Sequence, residues 1–173
     1  GRGRRVRVLG VNATTAWQQP NAALYTDHYE LTMLQAALHA GTAERRSVFE
    51  AFARKLPDGR RYGIVAGTGR LLEALGSFRF EEAQLDFLGS TGVVDDRTLA
   101  WLADFRFTGT ITGYAEGDVY FPGSPILQVE ASFGEACILE TLILSVLNHD
   151  SAIASAASRM TSAAGGRPCI EMG

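Results

Sequence analysis

Two carboxylates, a histidine and a tyrosine concentrate in Asp27-His28-Tyr29-Glu30, and their spacing admits two kinds of chemistry. Asp27 and Glu30, three apart, have the spacing of a helix capping box, with Asp in place of Ser or Thr. Tyr29 then falls in the first helical turn. It is either an aromatic packed on the core or a ring presented for stacking on a heteroaromatic ligand, a contact that contributes about 0.5–1.5 kcal/mol beyond burial. A second cluster, His149-Asp150-Ser151, holds the residue types of a nucleophilic triad. Real triads are assembled from distant elements, and neighbours on one helical turn point in different directions, so Asp150 or Ser151 is expected to cap a helix.

Other candidates carry plainer readings. Gly67-Thr68-Gly69 follows a strand and precedes a helix, but Leu72 stands where a dinucleotide fingerprint needs its third glycine. It is read as a tight strand–helix turn. Glu135 and Glu140 are five apart and face different ways. A buried carboxylate needs partners, so Glu140 is expected to meet an arginine or backbone amides, with general-acid duty as the alternative. Arg159 and Arg167 flank the last helix and face either a phosphate or the helix end. His28 and His39 lack partners at metal spacing, so no metal site is expected. Cys137 and Cys169 sit among apolar neighbours and read as buried free thiols, as in a reducing cytoplasm.

The elements that must position these residues follow from periodicity. A helix opened by Asp27 carries Leu31, Leu34 and Leu38 and ends at Gly41. Strands are expected at 47–54 and 62–66, then a helix through Leu71, Leu72 and Leu75. Helical patterns recur over 81–88 and 95–105. From Phe107 the period shortens, and three strands are expected, the last at 126–131. Residues 133–147 are apolar on nearly every face, which marks a central helix buried on several sides. A separate small-residue helix over 151–163 is stopped by Gly165-Gly166-Arg167-Pro168, and Cys169–Met172 is expected to be a new strand, left without a neighbour.

With 173 residues, 46% apolar and 20% charged, the chain can bury a core of its own. Arg2, Arg4, Arg5 and Arg7 crowd an acid-free start; without them 12 basic residues face 19 acidic ones, a net of −7. A body that acidic is a poor match for nucleic acid. Residues 1–20 are therefore expected to be a disordered basic leader rather than a nucleic-acid arm. No secretory signal follows the arginines, and the greasiest stretch, 136–147, is interrupted by Glu140 and too short to cross a bilayer. A cytoplasmic protein without a membrane role is expected.

The run Leu24-Tyr25-Thr26-Asp27-His28-Tyr29-Glu30-Leu31-Thr32-Met33 resembles the opening signature of the nicotinate phosphoribosyltransferases. So, in order, do Phe49-Glu50, Tyr114-Ala115-Glu116-Gly117, Pro122-Gly123-Ser124-Pro125, Asn148 through Met160, and Gly166-Arg167-Pro168 with Glu171-Met172-Gly173. The Gly-x-Pro turn and the Ser-x-Ile-Ala pattern also resemble quinolinate phosphoribosyltransferases. The resemblance implies an α+β N-terminal domain over 21–147, a mixed or antiparallel sheet with helices, leading at 148–173 into the first strand of an incomplete α/β barrel. It implies an enzyme that joins nicotinate to phosphoribosyl pyrophosphate, giving nicotinate mononucleotide and pyrophosphate for NAD salvage. It also implies ATP hydrolysis coupled through a phosphohistidine, and a need for Mg²⁺. It implies that Tyr29 stacks on nicotinate bound by the neighbouring subunit of a homodimer, with Asp27 in support and Arg159 toward phosphate. The catalytic centre, the ATP site and the metal site would lie beyond Gly173, so this portion is expected to be inactive alone. The alternatives are a related enzyme acting on quinolinate or nicotinamide, and a non-catalytic binding module.

Overall fold

The computed structural model describes residues 5–6 and 21–172. Helix α1 (His28–His39) is followed by strand β2 (Arg46–Phe52), which pairs antiparallel with β6 (Pro125–Ser132); β4 (Thr110–Gly113) flanks β6 on its other side, and β1 (Arg5–Val6) lies outside β4. Register places Phe49, Val129 and Ile111 in one row and Ala51, Leu127 and Gly113 in the next. Their side chains share a face, because strand side chains alternate with period two. That face meets the helices; the other carries Arg46 paired with Glu130 at 2.6 Å and Gln128 donating to Glu50 at 2.5 Å.

The reading of residues 1–20 as a leader without structure is corrected at Arg5–Val6, which pair with Thr112 and Ile111. The free edge of β4 supplies the unpaired backbone groups that such a segment satisfies. The rest of that stretch lies outside the described residues.

A second sheet joins β3 (Gly63–Ile64) to β5 (Val119–Tyr120), and helices α2 (Thr68–Ser77), α3 (Glu82–Thr91) and α4 (Asp96–Asp104) fill the interval between β3 and β4. Phe78, Phe80 and Phe105 meet edge to face with centroids 5.6 to 6.4 Å apart, the favoured aromatic geometry. Every strand pairing among the described residues is antiparallel, as an α+β domain requires.

The central helix arrives in two pieces. Ser132 caps α5 (Phe133–Cys137), and Glu135 answers it in a full capping box; Ile138 and Leu139 turn before α6 (Glu140–Ala164) begins. Buried Glu135 accepts from Thr108 N and Oγ1 at 2.7 and 2.9 Å and from Ser132 N and Oγ at 3.1 and 3.0 Å. Four donors offset the desolvation of its charge. The stretch 133–164 is long and apolar enough by composition to cross a membrane, but half of its most apolar window is buried inside the fold, as for a core helix.

Two expectations about this region are corrected. Helix α6 runs without a break through 147–151, so Asp150 and Ser151 lie mid-helix and cap nothing. No strand forms at Cys169–Met172: the segment pairs with no strand among the described residues, and the Met172 amide donates to Glu171 Oε1 at 3.1 Å instead of to a ladder. Cys169 is therefore exposed, whereas Cys137 is buried as expected.

Candidate functional site

Asp27 occupies the N-cap of α1 with extended backbone, and its amide donates to Glu30 Oε2 at 3.3 Å. The local capping pattern thus sets the first turn, and with it the direction of Tyr29. Glu30 is wholly buried. Its Oε2 also accepts from the Thr26 hydroxyl, and its Oε1 accepts from Thr141 N at 3.0 Å and Thr141 Oγ1 at 2.5 Å. One carboxylate therefore sits at two helix N-termini, where the positive ends of both macrodipoles favour it.

Beside this joint, the Tyr29 ring is 46% exposed, and its hydroxyl donates to Glu140 Oε1 at 2.9 Å. The partner expected for Glu140, an arginine or backbone amides, is thus corrected to a phenol. Partial desolvation, then the Glu140 hydrogen bond and the negative field of Glu140, Glu30 and Asp27, raise the Tyr29 pKa, so it stays a protonated donor at neutral pH. Leu24, Tyr25 and Met33 are also exposed around it. What this edge offers chemically is an exposed aromatic ring held at its backbone end by the capped turn and at its hydroxyl by Glu140.

Farther along α6, Ser151, Ser155 and Arg159 recur every four residues. Ser151 Oγ accepts from Ala66 N at 3.1 Å and donates to Ala66 O at 3.2 Å; Ser155 Oγ accepts from Ile64 N at 2.8 Å; Arg159 donates to Tyr62 O and to Ser155 O. Four helical residues rise about 6.0 Å and two strand residues about 6.6 Å, so the stripe keeps pace with every second backbone group from Ala66 back to Tyr62. The helix acts as the missing neighbour of β3. Arg159 also lies over the Tyr62 ring, 4.8 Å from its centroid. Arg167 Nε donates to Ala164 O at 2.9 Å, at the end of α6.

Asp150, one residue before this stripe, is gripped by Arg70 through Nε at 3.0 Å and Nη2 at 2.7 Å, and His149 Nδ1 lies 2.9 Å from the same carboxylate. Hydrogen bonding to Arg70, ahead of desolvation and of the His149 contact, holds its carboxyl below the usual range. The His149-Asp150-Ser151 group is thus an ion-pair joint and a backbone clamp. Gly67 caps α2 at φ +94°, and a Cβ there would meet Asp150 Oδ2 at 2.8 Å, so only glycine fits. The Gly67-Thr68-Gly69 turn is tight, as read from the sequence. Its open amides are already filled: Glu116 accepts from Gly67 N at 3.2 Å, Gly69 N at 3.0 Å and Thr68 Oγ1 at 2.9 Å. Desolvation alone would raise the Glu116 pKa, but those donors outweigh it and lower it.

The structure brings Asp27, Tyr29, Glu30 and Glu140 together. It does not bring Arg159 to them, since Arg159 lies roughly 28 Å further along the α6 axis than Glu140. The contacts that the sequence reading missed are Tyr29 to Glu140 and Glu30 to Thr141, each spanning 111 residues, a separation that leaves no local signal. A cleft lined by Phe49, Ala51, Val129, Glu140, Ile143 and Leu144 holds about 180 Å³. That is below the ~300 Å³ at which small-molecule pockets begin. A wider hollow of about 390 Å³ is walled by Gly67, Arg70, Glu116 and Asp150, whose charges are already spent on protein partners. Among the described residues no three His, Cys, Asp or Glu side chains converge to hold a metal ion. With Glu116 on the α2 amides as well, these residues fit neither Mg²⁺ nor the phosphates of ATP.

Comparison with known proteins gives the same direction. Residues 24–148 match the model of the nicotinate phosphoribosyltransferase (NAPRTase) N-terminal domain. Nicotinate phosphoribosyltransferase pncB1 of Mycobacterium tuberculosis is 62% identical over 155 residues, covering 90% of this chain and 34% of that protein. The human nicotinate phosphoribosyltransferase is 32% identical over 155 residues, covering 87% of this chain and 29% of that one. The crystal structure of human nicotinic acid phosphoribosyltransferase superposes with a TM-score of 0.77 at 32% identity over 86% of this chain and 30% of that one. Nicotinate-nucleotide pyrophosphorylase from Pyrococcus furiosus, at 21% identity and a TM-score of 0.61 over 90% of this chain and 33% of that one, shares the fold. The chain spans about a third of the length of the curated relatives it matches.

Proposed function

We infer function from one premise: the chain belongs to the nicotinate phosphoribosyltransferase family and carries its N-terminal domain. We propose that it serves in a cytoplasmic enzyme of NAD salvage that joins nicotinate to phosphoribosyl pyrophosphate, yielding nicotinate mononucleotide and pyrophosphate, with Mg²⁺ and coupled ATP hydrolysis. The pyridine nitrogen attacks the anomeric carbon, the carbon–oxygen bond to pyrophosphate breaks, and the leaving group takes the electron pair. ATP, the metal and the phosphohistidine belong, on this reading, to the part of the relatives that this chain does not span.

This chain's own contribution is the Tyr29 ring. The observation that carries the reading is its position: exposed, capped into place by Asp27, and tethered by its hydroxyl rather than packed into the core. As the pyridine nitrogen bonds to carbon it becomes a cationic pyridinium, and an aromatic face is attracted to that growing charge more strongly than to the neutral ring. Such an interaction favours the transition state over the ground state. Because Tyr29 lines neither of the two clefts described above, the ring is read here as serving a pocket supplied from outside this domain, by the neighbouring subunit of a homodimer. Arg159, its guanidinium turned to backbone carbonyls, could reach a phosphate only by giving up those bonds, so its phosphate role is the weaker part of the proposal.

The full gene product, supplied with phosphoribosyl pyrophosphate, Mg²⁺ and ATP, is expected to form a mononucleotide from nicotinate in preference to quinolinate or nicotinamide. Preference for either of the others would reassign the substrate. No turnover with any of the three would favour a binding module.

A further inference from the structure

Tyr29 and Glu30 are consecutive on α1, Glu140 and Thr141 are consecutive on α6, and the pairs meet in register across 111 residues of sequence. They differ in kind. The Glu30 pair is an anchor: it is fully buried and supplies the amide of Thr141 with its acceptor at 3.0 Å. The Tyr29 pair lies at the surface, where Tyr29 is 46% exposed and Glu140 half-buried. Its consequence is orientation. The backbone end of Tyr29 is held by the capped first turn, and the far end, the hydroxyl, is held 2.9 Å from Glu140 Oε1. With both ends fixed, the ring keeps one rotamer while its face stays open.

We propose that Glu140 is a positioning residue for Tyr29: by accepting the phenol's hydrogen bond it holds the exposed ring face in the orientation on which the pyridine substrate stacks. The proposal rests on the stacking role of Tyr29 argued above. A freed tyrosine distributes over three staggered χ1 wells, and apparent affinity falls with the fraction in the competent one, so loss of the tether should cost roughly three- to tenfold in nicotinate KM. Chemistry on the already stacked complex is unaffected by how the ring came to be placed, so kcat should hold.

Steady-state kinetics with nicotinate varied, on the full gene product, test this. Tyr29→Phe and Glu140→Ala should each raise KM by roughly three- to tenfold with kcat within about twofold, and the double variant should be no worse than either single. Glu140→Gln keeps an acceptor oxygen and should recover most of the loss. Tyr29→Phe retains the ring and its packing, so it carries the test alone if Glu140→Ala fails to fold. If Tyr29→Ala raises KM while Tyr29→Phe and Glu140→Ala do not, or if their effects add in the double variant, positioning is overturned and stacking stands. If Tyr29→Ala itself leaves KM unchanged, the stacking role falls, and this proposal with it.

Discussion

Cys137 and Cys169 read alike as sequence, each a thiol among apolar neighbours, and the fold treats them oppositely. Cys137 is completely buried, donates toward Glu30 O at 3.6 Å, and has its thiol pushed up to about 12 by burial first and by the nearby Glu30 and Glu140 carboxylates second. Since the thiolate is the nucleophile, a thiol whose pKa is raised this far has almost none of the reactive form at pH 8. Iodoacetamide at that pH should give one fast adduct, at Cys169, with Cys137 modified only on unfolding. Mass spectrometry of the digested chain checks it; equal labelling of both would contradict the burial. The difference was not legible locally, because apolar neighbours in sequence do not say whether a segment finds anything to pack against. Asp27 and Glu30 were legible, since a capping box is closed within four residues and needs no distant partner.

At the scale of elements, Asp95 fastens two helices. It caps α4 through Thr98 N at 2.9 Å and Thr98 Oγ1 at 2.7 Å, and its other oxygen lies 2.6 Å from His39 Nε2 in the last turn of α1. The Thr98 side-chain and backbone hydrogen bonds, then His39, bring its carboxyl down to about 2. A carboxyl whose folded pKa lies below its unfolded value of roughly 3.9 contributes stability that is present above that value and lost as pH falls through the folded one. The melting midpoint of the chain should therefore drop as pH goes from about 4 to about 2, and Asp95→Asn should flatten that part of the curve. An unchanged acid limb in the variant would contradict it. Helix α6 makes a second case. Ser155→Ala removes the acceptor of the half-buried Ile64 amide, and leaving such a donor unpaired costs about 1 kcal/mol, toward the lower end of the range for fully buried groups. Denaturant unfolding should show that loss, whereas Ser162→Ala, an exposed position on the same helix, should fall within about 0.5 kcal/mol of the parent. Helices and strands were mostly readable from their periods. The continuity of α6 was not: polar Asn148-His149-Asp150-Ser151 looks like a cap, and only the partners 80 and 85 residues away, Arg70 and Ala66, explain why it stays helical.

At the scale of the whole molecule, Tyr29 and Arg159, the residues proposed to meet substrate, do not converge among the described residues. Tyr29 and Asp27 lie at one end of α6 and Arg159 stands well along it, while the hollow between them has its charges internally paired. The α+β architecture was anticipated through the family resemblance, while the shift from a helical to a strand period after Phe107 marked where strands β4 to β6 would lie. The barrel-entry strand was not borne out, because a strand is defined by its neighbour and Cys169–Met172 pairs with no strand among the described residues. An arrangement of this kind makes sense as a surface that completes a pocket elsewhere.

On the proposed reading, the exposed Tyr29 ring stacks on the pyridine substrate. The most direct measurement is kcat/KM for nicotinate in the full gene product with Tyr29→Ala, alongside the melting midpoint. Losing the stacking and the apolar contact of one ring, about 1.5–3 kcal/mol, should lower kcat/KM by roughly ten- to a hundredfold with the midpoint nearly unchanged. A variant that folds and turns nicotinate over as efficiently as the parent would contradict it.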